Sequence, residues 1–568
     1  MRKRLLMPFL IVLFLCFAPS IAEASTQSLQ VTMPTFSVTL NGTQIDSSMR
    51  EYPLIVYKNI TYFPMTYYDC RYLGLETIWN SDTGLYINKT SVSGLYRDYR
   101  STRTNPKYGT ATMSNFSIVV NGMVIDNALE EYPLLLFRDV TYFPMTWRFC
   151  HDAFGWSYDF SETMGLVIHS DNPSVERLDI PLPDSVDRNL FGFLVDGDLY
   201  YAYGADRIVY QGSLQDPSHW REVYRFSEDE GSLGGVYADE NKAYLRYHVG
   251  RATMGTDVIV QLHRDGTAEQ VSIASGTHLY KDYGDVQISA TQHMMFNLGG
   301  HNLTVRYGEG AYRPLGNPSC FYGSYVEITK GGISATSTSD LYRVGDDIYI
   351  LACDMTKDEG SSGVYKVNLH TGETTCLIDG PVSRFIIEGE YVYYSTNGVE
   401  NRLHRMQLSS GEIVSIAGPY QDSCITDFAV LGETLYFTMT NYWSHTDGAG
   451  FSGFYRADNS AYLYYNTSIN AKAQASGMRR IGDFLAVTFE GYGNAGDIDD
   501  RFIVIDANGY IVFRTDDEVS LSTVCIVGDR LYYMDEGLGQ IGTVTLRSTR
   551  YPFTEGAVRE MAIGAFLA

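Results

Sequence analysis

The chain has 568 residues, 42 basic and 67 acidic, with a formal charge of −25 and a hydrophobic fraction of 45%. That length implies two or more domains, and the apolar fraction allows ordinary buried cores. So acidic a balance excludes nucleic acid and anionic membrane surfaces as partners, because both need a basic footprint.

At the N-terminus, Arg2, Lys3 and Arg4 precede an apolar run from Leu5 to about Ala18, and Ala22-Glu23-Ala24 precedes Ser25. A basic region, an apolar region and a small-x-small site form a secretory signal, with cleavage expected after Ala24. The apolar run is short for a membrane-spanning helix, which needs ~20 residues. Cys16 does not suit lipid attachment, because Leu15 before it is not small. The expected product, residues 25–568, is extracellular, either secreted or wall-associated, with no transmembrane span. Its charge is near −27, the total of −25 less the +2 of residues 1–24. Seven of the eight cysteines remain, an odd number without CxxC or metal-like spacing. Such sparse cysteines do not make a disulfide scaffold; most are expected to be small buried residues, and their pairing stays open.

An internal repeat follows. Phe36–Cys70 aligns without gaps to Phe116–Cys150 at an offset of 80, with 17 identities in 35 positions. With one inserted residue the match continues, Gly84-Leu85 to Gly165-Leu166 and Ile87 to Ile168. Within a copy, Ser37–Leu40 alternates as a strand, Asn41-Gly42 suits a tight hairpin, and Thr43–Ile45 returns. Leu54–Tyr57 and Ile60–Phe63 form a second hairpin around Lys58-Asn59, which Pro64 is expected to end. Met65–Leu73 reads as a short helix stopped by Gly74. Trp79 and Gly84–Ile87 belong to the closing strands. Each copy is expected to be a compact, β-rich α+β module.

The frame Asn41-Gly42, Tyr52-Pro53, Thr61-Tyr62-Phe63-Pro64-Met65, Leu73-Gly74, Trp79 and Gly84–Ile87 resembles the copper amine oxidase N-terminal-like, or stalk, domain. The second copy carries it at Asn121-Gly122, Tyr132-Pro133, Thr141–Met145, Phe154-Gly155 and Gly165–Ile168. The family often has arginine two residues after the proline, where this chain has Thr66 and Thr146, so no role is carried over there. The resemblance implies a stalk and no oxidase. None of the 11 histidines forms His-x-His, and Asn441-Tyr442 is followed by Trp443 instead of the acidic residue a quinone precursor needs. Amine oxidase activity is not expected.

Lys89–Ser114 joins the copies and sets Arg97, Arg100, Arg103 and Lys107 against Asp98. It reads as a solvated linker with an extra strand, or alternatively as a contact for anionic wall polymer.

From residue 175 a phrase recurs: a glycine–acid turn followed by an apolar, aromatic strand. It stands at Asp196–Tyr201, Gly345–Tyr349, Gly389–Tyr394, Gly432–Phe437, Gly482–Leu485 and Gly528–Tyr533, with weaker copies near Asp239 and Gly284. The spacings from Gly345 onward are 44, 43, 50 and 46. A second phrase follows at Val364-Tyr365-Lys366, Leu403-His404-Arg405 and Phe454-Tyr455-Arg456, and two of these lead to turns at Thr371-Gly372-Glu373 and Ser410-Gly411-Glu412. Periods of 40 to 50 residues with several short strands each are those of propeller blades. The expected fold is mainly β: a propeller of about seven or eight blades, with the first and last phrases sharing a blade, preceded by two small α+β repeats. A tandem of β-sandwiches is the structural alternative. The region is similar to bacterial domains that resemble the propeller of lipoprotein-receptor-related proteins. The expected organisation is a signal peptide at 1–24, repeat one at 25–88, a linker at 89–114, repeat two at 115–174 and the propeller at 175–568.

No Gly-x-Ser-x-Gly elbow, His-Glu-x-x-His, phosphate loop or dinucleotide fingerprint occurs. Asp497, Asp499 and Asp500 form the tightest acidic cluster, a structural calcium site or a solvated loop. No other cofactor is expected. Tyr442, Trp443 and Tyr492 stand in polar, glycine-rich stretches and are the candidate ligand contacts, since rigid aromatics with polar tips make binding surfaces. The expected function is a non-catalytic cell-surface or cell-wall binding or scaffolding protein. Its propeller would take a glycan, wall polymer or surface protein. The alternative is an exported propeller hydrolase or lyase acting on polysaccharide or peptide.

Overall fold

Short strands with exposed edges need partners, and here the partner is often a distant one. The computed structural model describes residues 28–90, 93–94, 96–172, 175–183, 186, 190–204, 206–226, 233–239, 242–251, 254–275, 278–292, 301–397, 401–418, 423–441, 453–457, 461–464, 473–491, 501–507, 509–536, 543–550 and 560–561. The chain divides into two units, Met1–Asn88 with Tyr96–Asp171, and Lys89–Leu95 with Asn172–Ala568.

In the first unit, copy one supplies β1 (Leu29–Thr32), β2 (Val38–Leu40), β3 (Thr43–Ile45), β4 (Ile55–Tyr57), β5 (Ile60–Pro64), β6 (Leu75–Asn80) and β7 (Gly84–Lys89). Copy two supplies β8 (Tyr108–Met113), β9 (Ile118–Val120), β10 (Met123–Val124), β11 (Leu135–Phe137), β12 (Val140–Pro144), β13 (Trp156–Ser161) and β14 (Gly165–Ser170). The tight turns are where the sequence places them. Asn41 and Gly42 take φ of 42° and 84°, and Lys58 and Asn59 take 48° and 64°, the geometry of a two-residue hairpin. The helix spans Tyr67–Tyr72, capped by the Thr66 side chain, which accepts from the Asp69 amide. Its counterpart Arg148–Ala153 is a π-helical turn.

The copies are not self-contained modules, which corrects the sequence reading. Six strands close a barrel in the order β1-β4-β5-β12-β11-β8. Two four-stranded sheets flank it, β10-β9-β7-β6 and β13-β14-β2-β3, each drawn from both copies. The exchange is pseudo-two-fold. Gln30 faces Thr110 and Phe63 faces Phe143, each residue opposite its own repeat equivalent. Pro64 does not end the pairing; it sits opposite Tyr142 at the strand end. Where the copies cross, β7 runs parallel to β9 and β14 parallel to β2. At these crossings a Cβ on Gly84 would lie 2.0 Å from the Ser117 carbonyl oxygen, and one on Gly165 would lie 2.0 Å from that of Ser37. Both glycines also hold positive φ, 98° and 72°. One core serves both copies, joining Phe63, Phe143, Phe154 and the buried Trp156, whose Nε1 donates to the Leu73 carbonyl at 2.7 Å.

The segment between the copies is docked rather than solvated. Glu51 N donates to Tyr99 O at 2.8 Å, and Ser101 N to Met49 O at 2.7 Å. The docked segment lies over a buried ion pair, in which Arg50 reaches the Asp69 carboxylate at 2.6 Å. Arg97, Arg100, Arg103 and Lys107 stay exposed along it.

The second unit is a β-propeller. Among the described residues it holds eight meander sheets of four or five strands. The fifth carries an added three-stranded sheet, Ser324–Thr329, Gly332–Ser337 and Gly360–Ser361. Each glycine–acid phrase is the turn from an inner strand to the next. Glycines 197, 284, 345, 389, 432, 482 and 528 have φ between 58° and 88°, which an L side chain takes only with strain. The inner strand Leu190–Asp196 contacts Leu233–Asp239 on one side and Val519–Val527 on the other, closing the ring. The first and last phrases lie in different sheets. Closure comes instead from Glu176–Pro181, upstream of the first phrase, which pairs with Thr543–Arg550, Ile180 facing Val544. Of the cysteines, Cys70, Cys150, Cys320 and Cys353 are buried, Cys525 half-buried and Cys376 exposed. No helix among the described residues is long and apolar enough to cross a membrane.

Two outcomes follow for the interleaved unit. Gly84→Ala should destabilise it by more than about 2 kcal/mol, because the new methyl group meets backbone in a strained conformation; urea unfolding of the 25–174 fragment measures this. Residues 25–105 alone should show no cooperative unfolding, since the barrel and both sheets lack half their strands.

Candidate functional site

The strand before each glycine–acid turn is innermost, so its polar side chains can meet only the channel or a neighbouring sheet. Four consecutive sheets build one cleft this way, about 780 Å³ in volume. Its lining includes Tyr237 and Asp239 from the first, Lys281 from the second, Asp340, Tyr342 and Arg343 from the third and Arg384 from the fourth. Arg246 enters from a second strand.

The charged groups are held across sheet boundaries. Lys281 Nζ lies 2.5 Å from Asp239, Arg343 lies 2.5 Å from Asp285, and Arg384 touches Asp427 on the next inner strand. Arg246 donates to the His278 carbonyl at 2.7 Å and lies 5.9 Å over the Tyr237 ring. Asp340 is buried and accepts from the Phe385 amide at 2.9 Å. Burial pushes its carboxyl up from 3.8 to about 6, against the pull of Arg384, the Phe385 amide and Lys281. Tyr237 is pushed up to about 12 by burial, against Arg246. Tyr342 is raised by burial and by Asp340, so both phenols stay neutral. Two buried polar atoms in this region, Arg246 Nε and Tyr280 Oη, have no hydrogen-bond partner among the described residues.

The lining carries four cations, Arg246, Lys281, Arg343 and Arg384, and two carboxyls, Asp239 and Asp340, while Asp285 and Asp427 just outside it pair Arg343 and Arg384. With these four carboxyls the balance is 4 − 4 = 0, so the cleft is neutral within a chain of −25. Guanidinium groups beside tyrosine rings in a neutral lining suit an anionic group better than the acidic surface does. Asp239 is held by Lys281 and Asp340 by the Phe385 amide, and the lining contains no histidine or cysteine.

Tyr442, Trp443, Tyr492, Asp497, Asp499 and Asp500 are all outside the described residues. Their flanking strands are described. Thr434–Asn441 pairs with Gly453–Ala457, and Phe484–Gly491 with Phe502–Asp506. Thr434–Asn441 and Phe484–Gly491 are the second strands of neighbouring sheets. Among the described residues no group of three or more His, Cys, Asp or Glu side chains could hold a metal ion. The residues that sequence reasoning missed are Asp340 and Arg384. Their signal was a charge in, or immediately before, the strand that precedes a glycine–acid turn: Arg384 lies within Val382–Glu388, and Asp340 directly precedes Leu341–Val344.

No family model matches the chain, and no curated protein does. Solved structures give low-scoring matches. A computationally designed protein, Ika8, matches at 9% identity and TM-score 0.37, over 65% of this chain and 98% of that one. A mutant of puromycin hydrolase complexed with PGG matches at 13% identity and TM-score 0.37, over 54% of this chain and 52% of its own. Dipeptidyl peptidase 4 of Porphyromonas gingivalis matches at 10% identity and TM-score 0.39, over 62% and 56%. The match therefore spans about half the length of these two enzymes, and no activity is transferred from them.

Asp340 makes the propeller's stability depend on pH. Its folded pKa is above its unfolded value, so the folded state holds the proton more tightly, and stability falls as pH rises from about 4 through 6. Asp340→Asn keeps an acceptor for the Phe385 amide and does not ionise. It should leave stability unchanged near pH 4 and raise it at pH 7.5, by at most about 3 kcal/mol. Denaturant midpoints of the propeller transition at the two pH values check this.

Proposed function

We propose that the protein is an exported, cell-surface or wall-associated binding protein whose propeller channel takes a carboxylate-bearing ligand. The observation that carries this reading is the cleft of tyrosines and four cations, held in place by inter-sheet ion pairs, inside a strongly acidic chain. Arginine's planar, always-charged fork suits a carboxylate, and the neighbouring tyrosines supply apolar contact with polar tips. Export rests on the basic–apolar–small pattern of residues 1–24. The stalk resemblance of the repeats is consistent with a spacer between the propeller and its attachment. Binding is favoured over hydrolysis because Lys281, Arg343 and Arg384 are engaged in ion pairs and the lining holds no histidine or cysteine.

The test is co-sedimentation of residues 25–568 with purified bacterial walls, alongside titration with oligogalacturonate and oligoglutamate. Binding at low salt that weakens as salt rises, and a drop of about tenfold or more in Lys281→Gln and Arg384→Gln, is the expected result. Unchanged binding in both variants would remove the channel from the reading. No binding to walls or to either oligomer would remove the reading itself.

A further inference from the structure

An exposed aromatic side chain beside a cleft with polar groups at its edge is a candidate ligand contact. In the first unit Trp79 is 51% exposed and Phe160 is 54% exposed. They are repeat equivalents on β6 and β13, counting the single inserted residue. Each packs edge-to-face on a phenylalanine from the other copy, Trp79 on Phe116 at 4.7 Å and Phe160 on Phe36 at 5.1 Å. Phe36 and Phe116 are themselves equivalent. The strand exchange thus builds one aromatic corner twice, and neither copy can form it alone.

The Trp79 corner opens onto a cleft of about 480 Å³. Met65, Leu85 and Val140 floor it, and Thr77, Asn115 and Asp139 offer polar atoms at its edge. Asn115 and Asp139 are exposed, and the lining contains one carboxylate and no cation. Arg138, next in sequence to Asp139, is turned away, bonding to the Glu51 carbonyl and to Asn105. An apolar shelf with a few convergent hydroxyl, amide and carboxylate groups is a ligand site for something flat on one face and hydrogen-bonding at its edge. A pyranose ring has that form. The carboxylate, with no cation in the lining, disfavours an acidic sugar. Duplication of the corner at a pseudo-two-fold fits a polymer that repeats its own chemistry.

We propose that the interleaved unit binds a neutral glycan at its two aromatic corners, one ring stacking on Trp79 and another on Phe160. Asn115 and Asp139 accept or donate hydrogen bonds to ring hydroxyls at the Trp79 corner. The site is separate from the propeller channel and does not depend on its ligand.

The test uses residues 25–568 and two soluble probes, chitohexaose and cellohexaose, in calorimetric titrations followed by tryptophan fluorescence. The expected result is that one of these probes binds at two sites per chain. One site is lost in Trp79→Ala or in Phe160→Ala, and both are lost in the double variant. Binding to the matching insoluble polymer should fall by about tenfold or more in each single variant, because two linked contacts act as one avid contact. Both side chains are more than half exposed, so the variants should keep the parent's melting temperature. Trp79→Phe, which keeps a ring, should restore most of the binding. The proposal is overturned if neither probe binds, or if the double variant binds as the parent does. It is equally overturned if Trp79→Ala instead changes the oligomeric state, which would make the corner a contact between copies of this chain.

Discussion

Backbone pairing between segments far apart in sequence closes both units, and every candidate site depends on that closure. In the propeller the closing ladder joins Glu176–Pro181 to Thr543–Arg550, so the ends of the unit hold each other. In the N-terminal unit the barrel closes where β5 meets β12 and β1 meets β8. A closed sheet has no edge left to pair with another chain. Closure entropy grows only slowly with loop length, roughly 0.6 kcal/mol per doubling, so even so distant a ladder is affordable once it brings whole hydrophobic faces together. The ladder along Glu176–Pro181 does so, packing Ile180, Val544 and Leu546 against Phe193 and Tyr200 of the next sheet.

Closure also decides where charge can go. An inner strand faces a channel or a neighbouring sheet, and a charged side chain there must be paired or hydrogen-bonded. The pairs Asp239–Lys281, Asp285–Arg343 and Arg384–Asp427 each bridge one sheet to the next. They therefore hold the sheets in register and also furnish the cleft. Asp340 is the exception in kind. Its carboxyl is placed by the Phe385 amide, and its burial outweighs the nearby cations, pushing it up to about 6. A single protonation there raises the local positive charge facing any ligand.

Much of this was legible in the sequence, for a definite reason. Turn glycines are legible because positive φ is a local demand, and Gly197, Gly389 and Gly528 stand where the phrase places them. The period of the phrase is legible because each sheet repeats one solution to the same packing problem. Strand partners are not legible, because a strand's pattern says which face is buried and not who pairs with its edge. Hence Phe63 was read as part of a module of its own, while it lies opposite Phe143. Pro64 misled for a related reason. It lacks a donor, yet at the end of β5 it still lies opposite Tyr142. The cleft residues were hidden because Asp340 and Arg384 belong to successive sheets, and a strand's pattern does not say which side chains of two packed sheets will meet. The loop candidates Tyr442, Trp443 and Tyr492 were chosen for composition, a property that identifies a loop without saying what it faces.

The two aromatic corners show what interleaving adds beyond stability. Two separate modules on a flexible tether would hold their aromatic rings at variable distance, and the second contact would then depend on chance encounter. Exchange of β2 and β9 between the copies fixes Phe36 against Phe160 and Phe116 against Trp79 in a single rigid unit. Gly84 and Gly165 are the condition for that exchange, since any side chain there would strike the carbonyl of Ser117 or Ser37. The same residues therefore set both the fold and the spacing of the exposed rings. A duplicated sequence that had stayed as two domains could have drifted independently. Once its copies share strands, a change in one crossing displaces the aromatic pair built by both.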